Sequence, residues 1–492
     1  MTESQYKRLC RLCNNIVLKK NIHFVPWLNI IREHPEFLKN YENIFQKKNT
    51  FIYLWRLQFN KFKYFAWWAI HIVSCIYLKK ENINLANKNK INKLDYLFIS
   101  HRLVDDFSDS DNDFYFGSVP DEMNRSGFKV KVIAINHTPK NKDKKVSNLY
   151  ELLDKKTNFL TEISIHNKLK KQSKRLKKIL HSSKDILAKK VLRKSIIETM
   201  APNSHFVGRM EVHIKRYVQQ YRPDILISTF EGHSWERIAF STAKKINPEI
   251  TCIGYQHSHL FRLQNGIRLM KDKNLNPDII FTSGKNGKNQ CEKIFQNLPI
   301  LDVGTKRALV SNVSVTNKLA KKSEICLVVP EGISDECIRM FDYSILCAKA
   351  NPSVQFVFRL HPVISLNDLL SKNNIYSKMP SNIIFSRNSL IEDAKKSKWA
   401  LYRGSASIIE ICKEGVVPIY IEFDSELSID PLFNVNHIKF NVSKIDDFSN
   451  IILLNNKKNI KKISEYCDTL FSKLNVSKFK KNSINEILRN YD

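Results

Sequence analysis

The chain has 492 residues, of which 43% are hydrophobic, and it carries a formal net charge of +32. This length predicts two domains with extensions, and this hydrophobic content is ordinary for a globular chain. The basic excess predicts attraction to anionic lipid, nucleic acid or phosphorylated substrates. Because Lys, Asn and Ile are abundant and Gly numbers only 12, part of the charge also fits a drift in composition.

The cysteines indicate a reducing compartment. The ten thiols follow no framework spacing, and Cys252, Cys326 and Cys412 fall in apolar segments where a small buried thiol is expected. Cys10 and Cys13 form a C-x-x-C pair, but no second pair follows at the spacing of a zinc site. The first twenty residues lack the apolar core of a secretory signal. We therefore predict a cytoplasmic protein that uses no metal or other cofactor.

Residues 1–90 are predicted to form a helical N-terminal extension. Their most apolar stretch, 64–78, is shorter than the roughly twenty residues of a membrane span, and lysines flank it on both sides. Two interpretations stay open. The stretch is either a helix lying on the anionic inner face of the cell membrane, with tryptophans at the interface, or a helix buried against the main body.

Residues 91–312 are predicted to form a first α/β domain. Three helices are expected: one over 212–220, one over 235–245, and one that follows Ser283-Gly284 and runs through Phe295. The expected strands are 94–100, 129–135, 224–229, 251–255, 278–282 and 300–303. The alternation of strands with helices predicts a mostly parallel sheet with functional side chains at the carboxyl ends of its strands.

A basic helical insertion, 155–200, interrupts this domain. Between Lys168 and Lys194 it holds twelve Lys or Arg and one acid, Asp185. Leucines recur through it at roughly helical spacing, which predicts a solvated helical hairpin with one face on the core. Contact with acidic lipid headgroups or a polyanionic acceptor is the alternative. The run contains no aromatic residue that could stack on single-stranded nucleic acid.

A polar linker over 311–323 separates the second α/β domain, 313–455, from the first, and terminal helices are predicted over 456–492. Two helices of the second domain are expected over 334–349 and 408–414. Its expected strands are 324–329, 356–358, 399–402, 416–421 and a short one near 437–440. The sequence thus predicts two α/β domains with a cleft between them.

One loop of the second domain is suited to phosphate. Gly404, Ser405 and Ser407 lie at a predicted helix N-terminus, where hydroxyls, free backbone N–H groups and the helix dipole favour an anion. Ordinary N-capping by either serine explains the same pattern. Glu410, about one turn further on, suits the hydroxyls of a ribose or a plain surface position.

A second loop ends the strand 356–358 with Arg359, His361 and Pro362. Proline stops the strand, and a histidine at a strand end can donate to a phosphate oxygen or to a leaving group. A histidine with a structural partner is the alternative at this position.

These motifs carry a resemblance to a known group of enzymes. The chain contains, in this order, an acidic-Gly pair, a His-Pro pair and two serines: Glu231-Gly232, His361-Pro362, and Ser405 with Ser407. The series resembles that of bacterial sialyltransferases and related capsule polymerases. The blocks 254–258 and 115–121 are also similar to bacterial surface-carbohydrate biosynthesis proteins. The resemblance covers roughly residues 90–440.

The resemblance implies a GT-B-like α/β fold, with two Rossmann-like domains facing a cleft. It also implies metal-independent transfer from a CMP-sugar. Glu231 would deprotonate the acceptor hydroxyl, giving inversion at the anomeric carbon. His361 and Arg359 would stabilise the departing phosphate, with Ser405 and Ser407 on its oxygens. These roles agree with general principles, since fixed hydrogen-bond donors can stabilise a leaving phosphate.

The sequence departs from the family pattern at two places. Phe230 replaces a second acid, and Ala406 separates the two serines. A rival acidic-Gly pair, Glu331-Gly332, precedes His361 by only 30 residues and is expected on the donor side. Glu231 is preferred as the base because it falls in the first domain, where this fold places the acceptor.

On the acceptor side, His233, Gln256 and His257 are further candidates. The sequence therefore predicts a glycosyltransferase that moves a sugar, such as a nonulosonic acid of the sialic acid type, onto a glycan or lipid-linked glycan. A polyol-phosphate transferase using a CDP-glycerol-type donor is one alternative. The other is a non-catalytic scaffold that binds polyanions or membranes, which the net charge favours.

Overall fold

The computed structural model describes residues 1–20, 22–45, 50–76, 93–102, 113–137, 149–308, 322–367, 369, 379–424, 426–454 and 457–491. The predicted linker therefore lies almost wholly outside the described residues. Within them the body consists of two separate, entirely parallel sheets.

The first sheet has seven strands in the order β3-β2-β1-β4-β5-β6-β7. The strands are β1 Tyr96–Arg102, β2 Val130–Asn136, β3 Tyr150–Leu152, β4 Ile225–Thr229, β5 Thr251–Gln256, β6 Ile279–Thr282 and β7 Ile300–Asp302. Every residue of β4 is buried, as expected for a central strand with helices on both faces of its sheet. The strand order reverses between β1 and β4, which makes their carboxyl ends a switch point for binding.

The second sheet has six strands in the order β10-β9-β8-β11-β12-β13. The strands are β8 Ser323–Val329, β9 Gln355–Phe358, β10 Ile383–Phe385, β11 Ser397–Tyr402, β12 Val417–Ile421 and β13 Phe440–Val442. Its switch point lies between β8 and β11. The predicted α/β fold, with two Rossmann-like sheets and a helical N-terminal region, is confirmed.

Helices cover the sheets and build the N-terminal region. Ten precede the second sheet in the described residues: α1 Glu3–Lys20, α2 Pro35–Leu38, α3 Glu42–Phe45, α4 Thr50–Ile76, α5 Val119–Arg125, α6 Phe159–Ser182, α7 Ile186–Glu198, α8 Pro202–Tyr221, α9 Ser234–Ile246 and α10 Lys285–Ile294. The remaining six are α11 Ser334–Ala350, α12 Leu390–Lys396, α13 Ser407–Lys413, α14 Ile445–Ile451, α15 Lys457–Leu470 and α16 Lys481–Arg489.

The chain returns to the first sheet after completing the second. The Ser472 N–H donates to the Ser283 carbonyl at 2.9 Å. The fully buried ring of Phe479 packs edge-on against Phe281 of β6, with ring centroids 5.0 Å apart. The terminal residues therefore tie the two halves of the protein together.

The apolar stretch 64–78 falls in α4 up to Ile76, and its last two residues lie outside the described part of the chain. One face of α4 packs on the body and the other is exposed. Among the described helices, none combines the length and apolar character needed to cross a membrane.

Candidate functional site

The predicted acceptor side is built on the loop that follows β4. Gly232 has a φ of +89°, and a Cβ there would lie 2.0 Å from the Gly266 carbonyl oxygen, so the position requires glycine. The buried carboxylate of Glu236 accepts the backbone N–H groups of Glu231, Gly232 and His233 at 2.8–3.1 Å. The first turn of α9 thereby fixes the loop that presents Glu231.

Glu231 is held as an ionised carboxylate. The Ser258 hydroxyl donates to its Oε1 at 2.7 Å, and His233 Nε2 lies 3.4 Å from its Oε2. Burial raises the pKa of Glu231, but the hydrogen bonds from His233 and Ser258 and the charge of His233 outweigh this effect and hold the pKa below its usual range. Burial lowers the pKa of His233, whereas Glu231 and Glu236 raise it above its usual value.

Further histidines surround this carboxylate. Burial lowers the pKa of His257 to about 4, so its ring is neutral at neutral pH, and the ring packs edge-on against Tyr115 at 4.3 Å. Gln256 is fully buried and bonds to the Ser258 carbonyl, which holds the turn that carries His257. His101, at the end of β1, lies 3.2 Å from the Thr229 hydroxyl and joins the group; its strand was predicted, but its role was not.

A cavity of about 720 Å³ opens beside Glu231. The first domain contributes charged and hydroxyl groups to its wall, and the N-terminal region contributes aromatic rings and amides. Among the lining residues are Glu231, His233, Ser258, Phe261, Trp27, Arg32, Phe37, Tyr41 and Tyr64. Aromatic faces next to fixed polar groups suit the apolar faces and hydroxyls of a sugar.

The predicted donor side forms where β8, β9 and β11 end side by side. A Cβ on Gly332 would lie 2.8 Å from His361 Nδ1, and a Cβ on Gly404 would lie 2.1 Å from Glu331 Oε1. These two glycines allow the three loops to approach one another closely. The structure thus brings together Glu331, Gly332, His361 and Gly404, which the sequence placed on the donor side.

His361 can donate one hydrogen bond from a neutral ring. Burial lowers the pKa of His361, with Arg307 adding to the effect and Glu331 opposing it. The Val363 N–H donates to Nδ1 at 3.4 Å, which leaves the proton of the neutral ring on Nε2. Pro362, next in the chain, is exposed.

The two serines flank the N-cap of α13 and do not fill it. Ala406 occupies the N-cap, and no side chain makes the capping bond there. The structure therefore does not support the interpretation of Ser405 or Ser407 as an ordinary N-cap. Glu410 accepts Arg307 Nε at 2.7 Å, so the predicted ribose ligand lies where the two domains meet.

Arg359 is the donor-side candidate most firmly engaged elsewhere. Its guanidinium pairs with the buried Asp393 and donates to the Asn388 carbonyl at 2.9 Å. This arrangement anchors the loop that carries His361. Contact of Arg359 with a phosphate remains a prediction.

An N-terminal segment, 29–41, links the two sides, and no sequence motif predicted this contact. The fully buried His34 donates from Nε2 to Glu331 Oε1 at 3.0 Å, and Arg32 Nη2 lies 3.7 Å from Glu331 Oε2. The charge of Arg32 also acts on His233. Arg32 thus stands between the acceptor-side and donor-side groups.

One trio of metal-ligand types occurs away from the cleft in the described residues. Ligand atoms of His71, Cys75 and Glu162 lie within 4.8 Å of one another. The Arg209 guanidinium lies 3.3 Å from His71 Nε2 and 3.2 Å from Glu162 Oε2. A cation among the ligand atoms makes this trio a buried ion-pair network rather than a fitting metal site.

No protein-family model and no curated protein sequence matches the chain. Similar solved structures include a putative UDP-N-acetylglucosamine 2-epimerase from Listeria monocytogenes, at 11% identity and a TM-score of 0.46 over 81% of this chain and 98% of that one. The glycotransferase of kitacinnamycin matches at 10% identity and a TM-score of 0.45, over 80% of this chain and 99% of that one. A UDP-GlcNAc 2-epimerase from Neisseria meningitidis, solved with UDP-GlcNAc bound, matches at 12% identity and a TM-score of 0.45. The match covers 80% of this chain and 100% of that one.

Proposed function

We propose that this protein is a glycosyltransferase that moves a sugar from a nucleotide donor onto a hydroxyl group bound in the cavity. One observation carries the proposal. An ionised carboxylate, Glu231, lines a polar and aromatic cavity at the switch point of one sheet, while the loops of His361 and Gly404 converge at the switch point of the other. This arrangement gives one domain a proton acceptor and the other a place for a leaving phosphate.

In the proposed reaction, Glu231 takes the proton of the acceptor hydroxyl as its oxygen attacks the anomeric carbon. The bond from that carbon to the phosphate oxygen breaks, and the phosphate leaves with the electron pair. The Nε2–H of His361 donates a hydrogen bond to the departing phosphate, and Ser405 and Ser407 hold its other oxygens. Because attack and departure occur on opposite faces of the sugar, the configuration inverts.

Glu231 is a better candidate for the base than Glu331. Glu331 is only 6% exposed and is paired with His34 and Arg32. Glu231 lines the cavity and has a side chain that is 32% exposed. A base must reach the substrate proton, and only an accessible carboxylate can do so.

The finer assignment is a CMP-activated nonulosonic acid as donor and a bacterial surface glycan as acceptor. The order of the acidic-Gly, His-Pro and serine motifs supports it, because this series resembles that of sialyltransferases. A thermal-shift panel of CMP, CDP, UDP and ADP tests the nucleotide, since a ligand of the folded state raises the melting temperature. A shift with UDP alone or CDP alone would replace the CMP assignment, and no shift at all would contradict a donor site.

Glu231→Gln tests the chemistry. Loss of a general base should lower turnover by about 10²–10⁴-fold while the nucleotide shift is retained. Glu249→Gln, at an exposed glutamate of the same domain, is the matched control and should leave turnover unchanged. Equal turnover in the two variants would refute the role of Glu231. If the parent protein neither binds a nucleotide nor shows any turnover, the results favour a non-catalytic scaffold instead.

A further inference from the structure

The helix α4 exposes a continuous apolar stripe along most of its length. Its members recur three to five residues apart, and each is more than half exposed: Trp55, Phe59, Phe62, Phe65, Ile70, Val73 and Ile76. At about 1.5 Å per residue, the stripe is roughly 30 Å long. Isolated exposed apolar residues are common on protein surfaces, but an aligned row of this size marks a binding surface.

The opposite face of α4 holds the helix on the protein. Leu57, Ile72 and Cys75 are buried, and Trp68 stacks on His166 with ring centroids 4.1 Å apart. The Tyr64 hydroxyl donates to Glu198 at 3.0 Å. The stripe is therefore presented outward by a helix whose orientation is fixed.

Positive charge accompanies the stripe. Arg56 and Lys63 lie along one of its edges and Lys61 along the other, and all three are exposed. The helices α6 and α7, which pack beside α4, add further exposed cations: Lys170, Lys171, Lys174, Lys177, Lys178 and Arg193. An apolar helix face bordered by cations is complementary to a bilayer with anionic headgroups.

We propose that α4 docks this protein onto an anionic lipid bilayer, with its aromatic stripe at the level of the headgroups. A second copy of the chain fits this face less well, because pairing two such helices would bring their cations together. Asn60, Lys63 and Tyr64 of the same helix line the cavity beside Glu231. Docking would therefore bring that cavity within about one helix diameter, roughly 10 Å, of the lipid surface.

Vesicle flotation of the full-length protein tests the proposal without any measurement of activity. The vesicles are phosphatidylcholine alone and phosphatidylcholine mixed with phosphatidylglycerol. The protein should float with the mixed vesicles and much less with the neutral ones, and added salt should weaken its binding. Binding that is equal for both compositions and insensitive to salt would overturn the anionic assignment.

The triple variant Phe59→Gln/Phe62→Gln/Phe65→Gln replaces three exposed rings with glutamine, a residue that favours helix. We expect the partition coefficient to fall by about tenfold or more. The matched control, Leu346→Gln/Leu453→Gln, removes two exposed apolar residues of the second α/β domain and should bind as the parent does. Circular dichroism and the melting temperature establish that each variant is folded.

Two outcomes would overturn the proposal. The triple variant could float as well as the parent, which would mean that the stripe does not contact lipid. Alternatively, the parent could sediment as a dimer that the triple variant dissociates, while neither binds vesicles, which would make the stripe a contact between copies. A failed transferase assay leaves this test unaffected.

Discussion

Replacing Gly232 with alanine tests the loop that presents Glu231. The backbone at Gly232 has a φ of +89°, and the added Cβ would lie 2.0 Å from the Gly266 carbonyl oxygen. Gly127 offers a matched control, since its φ is +90° and a Cβ there would meet nothing within 4 Å. The two substitutions share the conformational strain and differ in the steric collision.

We expect Gly127→Ala to cost about 1–2 kcal/mol, the ordinary cost of a left-handed non-glycine residue. Gly232→Ala carries the same strain and also forces the backbone at Gly232 or at Gly266 to move. We therefore expect it to lower the free energy of unfolding by about 3 kcal/mol or more. The displacement also moves Glu231 and His233, and a shift of about 1 Å at a reacting group can lower turnover roughly 10²-fold. Thermal melting and initial-rate assays measure the two effects. Equal melting temperatures and equal turnover in both variants would refute the close packing of this loop.

Two further predictions concern the same loop and the donor side. Burial raises the pKa of Glu236 to about 7, and its anion accepts the three loop N–H groups more strongly than the neutral carboxyl does, so turnover should rise with pH through about 7. The free energy of unfolding should fall as the pH rises from about 4.5 to about 7, because over that range the folded state keeps this proton and the unfolded chain has lost it. A Glu236→Gln variant that keeps the parent's pH profile would contradict the assignment. Ser405→Ala/Ser407→Ala should raise the KM for donor about tenfold with little change in melting temperature, since neither serine caps α13. An unchanged KM, with donor varied at saturating acceptor, would remove the serines from the phosphate site.

The fold was largely predictable because most strands are apolar runs buried on both faces. The two missed strands, β3 Tyr150–Leu152 and β10 Ile383–Phe385, are three-residue edge strands. Their existence depends on a neighbouring strand more than on their own composition. The helix predicted over 212–220 begins ten residues earlier, at Pro202. Its first half buries polar side chains such as His205 and Arg209, which apolar periodicity cannot detect.

The candidate site was predictable only where it follows strand ends. Glu231 and His361 each lie just beyond a buried strand, so parallel-sheet geometry located them. The segment 29–41 carries no such pattern, because its meaning lies in contacts with residues far along the chain. His34 and Glu331 are 297 residues apart in sequence. Only the folded chain shows that the N-terminal region closes the space between the two domains.

His34→Ala should show whether this buried contact holds the N-terminal segment in place. Burial raises the pKa of Glu331, but the hydrogen bond and charge of His34, with Arg32 and Arg403, lower it below its usual value. Removing His34 leaves a buried carboxylate with a weaker partner, Arg32 at 3.7 Å, and should cost about 3 kcal/mol. The exposed His437→Ala is the matched control and should change little.

The pH dependence of that cost separates the loss of a hydrogen bond to an ionised carboxylate from a simple loss of packing. A carboxylate with a lowered pKa stabilises the folded state above its unfolded pKa, and this contribution disappears as the pH falls through the folded pKa. The difference in melting temperature between the parent and His34→Ala should therefore be largest near neutral pH and should shrink in acid. Adding Glu331→Gln to His34→Ala should restore part of the loss, because the unpaired charge is gone. A difference that is the same at all pH values, with no recovery in the double variant, would mean that His34 acts through packing alone.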